Sequence, residues 1–167
     1  VVPLLGRLGC NGRACHGSFQ GRGGFQLSLF GYDFKGDHEA LLDEASGRVD
    51  VDDIEESLIL AKPMDADMHD GGKRFDQGSW QHHVLRSWIA GGAELANTEM
   101  QSLKQLEIVP AEINFDNDDQ QVELKAYAHW ENGGVEDVTE LCRFSSNDDA
   151  IAVIDEEGRV KSGQRGD

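Results

Sequence analysis

Two cysteines and a histidine, in the segment Cys10-Asn-Gly-Arg-Ala-Cys15-His16, restrict this chain more than anything else in its 167 residues. Two thiols on one short turn, followed at once by an imidazole, suit covalent attachment of a porphyrin. Each S–H adds across a vinyl group, and the imidazole binds the iron. The usual spacing leaves two residues between the cysteines. Here four intervene, so the turn has to bulge, and Gly12 gives the backbone freedom to do so. Two other readings stay open at this point. One is a disulfide between Cys10 and Cys15. The other is a zinc site on Cys10, Cys15 and His16, which lacks a second cysteine pair or spaced histidine pair to supply a fourth ligand.

The pattern of apolar residues changes along the chain. Residues 1–97 read as helices joined by long Gly-rich loops, and residues 104–167 alternate with period two, so a domain boundary falls in a linker at 98–103. Val1, Leu4, Leu5 and Leu8 keep helical spacing and run straight into the cysteine motif. Asp37 is placed to cap a helix carrying Ala40, Leu41 and Leu42, and Asp52 or Asp53 one that runs through Leu58 and Leu60 to end before Pro63. A last helix is expected over Ser79 to Ala90, with Trp80, Val84, Leu85, Trp88 and Ile89 on its apolar face and Gly91-Gly92 as its stop. On that reading His82 and His83 lie at the surface.

In the second part Val122, Leu124, Ala126, Ala128 and Trp130 point one way and Glu123, Lys125, Tyr127 and His129 the other, as in a half-buried strand. Leu106 to Val109, Val135 to Val138, Ile151 to Ile154 and Arg159 to Lys161 complete the set of strands. Asn132-Gly133-Gly134 and Glu157-Gly158 are the turns. Cys142 reads as a buried strand cysteine. The chain stops just after a strand, so an immunoglobulin-like sandwich would be incomplete at its C-terminal end and the natural protein is expected to continue beyond Asp167.

Several stretches of the first 95 residues carry a more specific likeness. They are Gly9-Cys10 with Ala14-Cys15-His16-Gly17, Gly21 to Leu29 with Gly31-Tyr32-Asp33, Ser57-Leu58 with Lys62-Pro63, Gly71 to Phe75, and Leu85 to Ala93. In the second part they are Leu106 to Pro110, Asp137 to Thr139, Phe144 to Asn147 and Gly158 to Val160. With these the chain resembles the cytochrome c-like domain of large multidomain planctomycete proteins, followed by a bacterial immunoglobulin-like group 2 domain. The resemblance implies a mainly α, cytochrome c-like haem domain over 1–97 and an all-β immunoglobulin-like sandwich, incomplete, over 104–167. It also implies one haem c per chain and a location outside the cytoplasm, in the periplasm or at the cell surface.

The iron's second axial position has three candidates in the loop before the Trp helix: Met64, Met68 and His69. Imidazole and thioether are both ordinary haem ligands. In sequences of the resembled type a His commonly precedes the Gly-Gly pair, which favours His69 with Met68 as the alternative. Phe25, Leu27, Leu29, Trp88 and Ile89 are the expected pocket wall. Arg74 or Lys73 is expected to pair with the haem carboxylates, unless Asp67, Asp70 or Asp76 takes them up.

Charge narrows the partners. The net −17 divides into −7 over residues 1–100, from 9 cations and 16 acids, and −10 over residues 101–167, from 6 and 16. Such a field repels nucleic acid and anionic lipid. No apolar run approaches the roughly 18 residues of a membrane span. No acid, base and nucleophile constellation competes with the haem motif, so the expectation is an electron-transfer module with a redox partner protein rather than an enzyme. A cell-surface interaction module and a haem sensor with a labile sixth ligand are the alternatives.

Overall fold

A computed structural model describes residues 1–95, 102–117 and 120–163. The chain divides into two compact units, Val1–Asn97 and Thr98–Asp167. Most of the linker expected at 98–103, residues 98–101, lies outside the described residues.

The expectation of a mainly α domain followed by an immunoglobulin-like sandwich is overturned. The described residues are about 28% helical and 18% strand, with four short helices and two small antiparallel sheets. The longest helix among them has 11 residues. Glycine is part of the physical reason in the first unit: left-handed Gly9 and Gly92 follow the helices Val2–Arg7 and Trp80–Ala90, Gly47 ends a 3-10 turn, and Gly21, Gly23, Gly24, Gly72 and Gly78 hold the intervening chain in loops. Among the described residues of the second unit three strands in six have only three residues, and each sheet has three strands. That falls short of the seven or so strands of an immunoglobulin-type sandwich.

The first unit is built around α1 (Val2–Arg7), α2 (Phe34–Leu41), α3 (Leu58–Met64) and α4 (Trp80–Ala90). Its core comprises Leu4 and Leu5 of α1, Leu41 of α2, Ile59 and Leu60 of α3, Leu85 and Ile89 of α4, and Leu27 and Phe75 from loops. Asp33, not Asp37, caps α2, by accepting from the Gly36 N–H at 3.0 Å. Asp37 is buried instead and takes two hydrogen bonds from Ser28, N–H at 2.5 Å and Oγ at 2.8 Å, which pins the loop after Leu27. The Ser57 residue precedes α3, and Pro63 lies inside its last turn rather than beyond its end. Ser79 precedes α4 and caps it, through the His82 N–H.

The buried stripe of α4 is His82, Leu85 and Ile89, spaced by three and four residues, so the assignment of His82 to the surface is wrong. Val84, expected on the apolar face, is 38% exposed. Trp88 turns sideways: its indole N–H donates to the Glu94 carbonyl at 3.0 Å and its ring meets His38 edge-on.

In the second unit β1 (Leu103–Val109), β3 (Lys125–Trp130) and β4 (Val135–Asp137) form one sheet, in the order β1-β3-β4. β2 (Gln121–Glu123), β6 (Arg159–Ser162) and β5 (Ala152–Ile154) form the other, in the order β2-β6-β5. The single strand expected from Val122 to Trp130 is thus two, changing sheet at Leu124, whose N–H donates to the Gly158 carbonyl at 2.9 Å. Its alternation survives the break, because Leu124, Ala126 and Ala128 are buried. Cys142 is not in a strand: it follows a 3-10 turn, Thr139–Leu141, and is half-buried.

Small side chains make this second core thin, so its polar contacts matter. The buried Thr139 Oγ1 accepts from the Ala126 N–H at 2.9 Å and donates to Asp137 Oδ1 at 2.5 Å. Thr139→Val keeps the shape but strands the Ala126 N–H. A loss of about 1–3 kcal/mol is expected, read as a lower urea midpoint for the second unit.

Candidate functional site

The site begins where α1 ends. Gly9, at φ 75°, donates to the Gly6 carbonyl at 3.0 Å and Cys10 to that of Leu5 at 2.9 Å. These two bonds form a glycine-terminated helix end that fixes where Cys10 leaves the helix. Gly9, rather than Gly12, therefore supplies the left-handed residue of the bulged loop. Gly12 serves by its carbonyl, which accepts from Cys15 at 3.0 Å and Gly17 at 3.1 Å. His16 N–H closes the loop on the Cys10 carbonyl at 2.9 Å. A Cβ on Gly17 would stand 2.0 Å from the Asn11 carbonyl oxygen, so only glycine fits there.

Cys10 and Cys15 are not joined as a disulfide. Both line one cavity of about 290 Å³, together with His16, Phe25, Leu27 and His69. Residues from α1, α3 and α4 supply further apolar wall, among them Leu5, Ile59 and Leu85. The Cys10 thiol is pushed up to about 11 by burial, partly opposed by the Arg74 charge.

Two imidazoles face this cavity, and each is held by a backbone carbonyl. His16 Nδ1 lies 3.0 Å from the Phe25 oxygen, and His69 Nδ1 lies 2.7 Å from the Gly72 oxygen. A carbonyl only accepts, so both Nδ1 atoms carry the proton and both Nε2 atoms keep a free lone pair. Local sequence explains the acceptors. Gly23 and Gly24, both at positive φ, make a tight turn in which Arg22 and Phe25 exchange backbone hydrogen bonds, and this presents the Phe25 carbonyl to His16. Gly71 leaves room for the other ring, since a Cβ there would lie 2.7 Å from His69 Cε1.

The two ring centroids are 6.5 Å apart, with planes inclined by 23°. That is too far for stacking contact. It is close to the ~6 Å expected when two imidazoles bind one metal from opposite sides with metal–nitrogen bonds of ~2 Å. Burial lowers the His16 pKa, with Arg48 and His69 adding to the effect, which favours the neutral, ligating form. Among the described residues no three His, Cys, Asp or Glu side chains converge as ligands on their own. Two imidazoles with free Nε2 lone pairs and two free thiols on one cavity are the donor set that a covalently held tetrapyrrole would need.

Other expected residues fall elsewhere. Leu29 lies in an exposed 3-10 turn, and Trp88 and Ile89 are not part of the cavity wall. Met68 does line the cavity but is 55% exposed, and Met64 does not line it. Lys73 pairs with Asp76. Arg74 stands beside Gly71 rather than in the wall.

Three cations not expected there from the sequence do line the cavity, Arg22, Arg48 and Lys62. Arg48 lies 4.7 Å over the Phe25 ring and donates through Nη2 to the Gly23 carbonyl at 3.2 Å, while its buried Nε has no hydrogen-bond partner. A signal existed: Arg48 is the one cation among nine acids in residues 37–61.

The Cys10 shift gives a test on haem-free protein. The unfolded thiol titrates near 9 and the folded one near 11. The native state thus holds its proton longer, and stability is complete below pH 9 and falls as pH rises toward 11. Roughly 1–3 kcal/mol of that fall is expected to vanish in Cys10→Ala, measured as guanidinium midpoints at pH 8 and pH 11.

Comparison of the chain with protein-family models, with characterised proteins and with solved structures finds no match. Among the described residues no helix is long and apolar enough to cross a membrane.

Proposed function

We propose that the first unit binds one haem c, which Cys10 and Cys15 would hold as thioether donors and His16 and His69 as imidazole ligands, and that it passes single electrons to and from a partner protein. The observation that carries this reading is the His16–His69 pair, 6.5 Å apart across a cavity that both cysteines also line, with both Nδ1 atoms committed to carbonyls. Carbonyl-bonded Nδ1–H groups fix tautomer and ring orientation and raise ligand basicity, as outer-shell acceptors do at metal sites.

Bound haem supplies a one-electron iron couple, whose potential depends on axial ligands, burial and nearby charge. The chain's own part would be to ligate the group through His16 and His69 and to exclude water with Phe25, Leu27 and Ile59. Arg48 and Arg22 would hold its carboxylates. Arg48 is preferred to Arg74 because its Nε is buried beside the cavity without an acceptor. A location outside the cytoplasm belongs to the same reading, since c-type haem is attached there in bacteria.

Absorption spectra of oxidised and reduced protein test it, followed by extraction with acidified organic solvent. Low-spin spectra in both states and haem that stays with the polypeptide are expected. Haem that extracts freely, or none at all after expression with an attachment system, would overturn the proposal. Uptake of carbon monoxide by the reduced protein would favour the sensor instead.

A further inference from the structure

His16 is aimed by a turn that has little of its own to hold it. Its Nδ1 lies 3.0 Å from the Phe25 carbonyl, and Phe25 leaves a two-residue turn across which Arg22 and Phe25 exchange backbone hydrogen bonds at 3.0 and 3.1 Å. Both residues at the tip, Gly23 and Gly24, have positive φ, 58° and 71°, and both are exposed. A Cβ built on either would meet nothing within 4 Å, so packing does not brace the tip. Adjacent glycines carry the largest backbone freedom a chain offers, and two hydrogen bonds across a single turn do not quench it.

Arg48 supplies the missing brace from 25 residues away in sequence. Its Nη2 donates to the Gly23 carbonyl at 3.2 Å, at the tip of the turn, and its guanidinium carbon stands 4.7 Å from the centre of the Phe25 ring, at the base. One flat group thus holds both ends of the turn, by an edge and by a face. Lysine, a compact point charge, cannot make both contacts at once. The anchor is itself fixed. The Gly47 and Arg48 carbonyls accept from the Leu58 and Ile59 N–H groups at 3.1 and 3.0 Å, and the fully buried Ser57 hydroxyl accepts from the Asp50 N–H at 2.9 Å. Leu58 and Ile59 open α3 and line the cavity, so Arg48 ties the wall made by α3 to the turn that aims His16.

We propose that Arg48 is the positioning residue for His16: by clamping the 22–25 turn it keeps the Phe25 carbonyl on Nδ1, and so keeps the Nε2 lone pair free for the cavity. This rests on the haem reading above for its purpose, since a ligand has to hold one tautomer and one orientation. The clamp is separate from the pairing with haem carboxylates. That pairing rests on positive charge and would use the buried Nε, which has no partner among the described residues. The clamp uses Nη2 and the flat face.

The test begins with the haem-free full chain, labelled with nitrogen-15, at pH 8, where a histidine of ordinary or lowered pKa is neutral. Proton–nitrogen correlation across the His16 ring reads the tautomer, and amide hydrogen exchange reads the turn. A single Nδ1–H form and slowly exchanging Arg22 and Phe25 amides are expected in the unaltered chain. Arg48→Met keeps an apolar stem and removes the guanidinium, whereas Arg48→Lys keeps the charge as well. Both are expected to give a mixture of the two tautomers and about tenfold faster exchange at Arg22 and Phe25, with the Ala126 amide of the second unit unchanged. In haem-loaded chains both substitutions are expected to broaden the low-spin ferric signal in electron paramagnetic resonance, because the His16 ring is no longer held in one orientation.

A single Nδ1–H form with unchanged exchange in both variants would overturn the clamp. Arg48→Lys matching the unaltered chain while Arg48→Met does not would make the role one of charge alone, and would also overturn it. If Arg48→Met loses the dispersed spectrum of a folded first unit, Arg48→Lys decides by itself, because it keeps both stem and charge. A chain that takes up no haem fails the haem reading, and the haem-free measurements still decide the clamp.

Discussion

Cys10→Ala together with Cys15→Ala, expressed with a haem-attachment system, is expected to yield a chain whose polypeptide fraction is colourless after acidified-solvent extraction. Both thiols line the same cavity as His16, and they are not spent in a disulfide, so each is available to form one thioether. Losing both removes every covalent link while leaving the imidazole pair in place. Any haem retained by the double variant is held by coordination and packing alone, and leaves on denaturation. The single substitution Cys15→Ala should keep one link, with the reduced α-band shifted to longer wavelength by the surviving vinyl group. Haem that remains covalent in the double variant would mean attachment elsewhere and would sink the assignment. Circular dichroism of the haem-free forms separates a failed attachment from a failed fold.

His69→Ala has the second large expected effect. With the Gly72 carbonyl holding its Nδ1, His69 is positioned by its own turn, and Asp65 Oδ1 braces that turn by accepting from the Asp67 and Met68 N–H groups at 2.8 and 3.3 Å. Removing the imidazole leaves one axial position open. The oxidised spectrum should change from low to high spin, and the reduced protein should bind carbon monoxide fully. Met68→Leu should do neither, because an exposed thioether is a poorer match to the cavity than the paired imidazole. Low spin retained in His69→Ala and lost in Met68→Leu would reverse the ligand assignment.

The part of the candidate site legible in the sequence is the set of residues brought to one cavity: Cys10, Cys15 and His16 stand out by residue type and adjacency, and Phe25 and Leu27 are the apolar residues of the next loop. His69 was one of three ligand candidates, and a hydrogen bond to a carbonyl three residues away distinguishes it, which spacing alone does not show. Arg48 was hidden because its nearest acids in sequence suggest a surface pair, whereas its guanidinium lies over Phe25. Trp88 misled because helical periodicity gives a face and not a neighbour. Its indole N–H needed an acceptor and found the Glu94 carbonyl, which took the ring away from the cavity.

Fold class was the less legible part. The amphipathic stretches were real, but helix lengths depend on where backbone turns left-handed. The strand alternation through Leu124 was also real. Periodicity is blind to a change of hydrogen-bonding partner, and Gln121–Glu123 pairs with Arg159–Lys161 while Lys125–Val109 pairing begins two residues on.

That change of partner has a mechanical consequence. One continuous stretch, Gln121 to Trp130, belongs to both sheets of the second unit and crosses between them at a single residue. Strain on either sheet is therefore felt at Leu124, whose N–H is bonded to the Gly158 carbonyl, because no loop lies between the two ladders to absorb it.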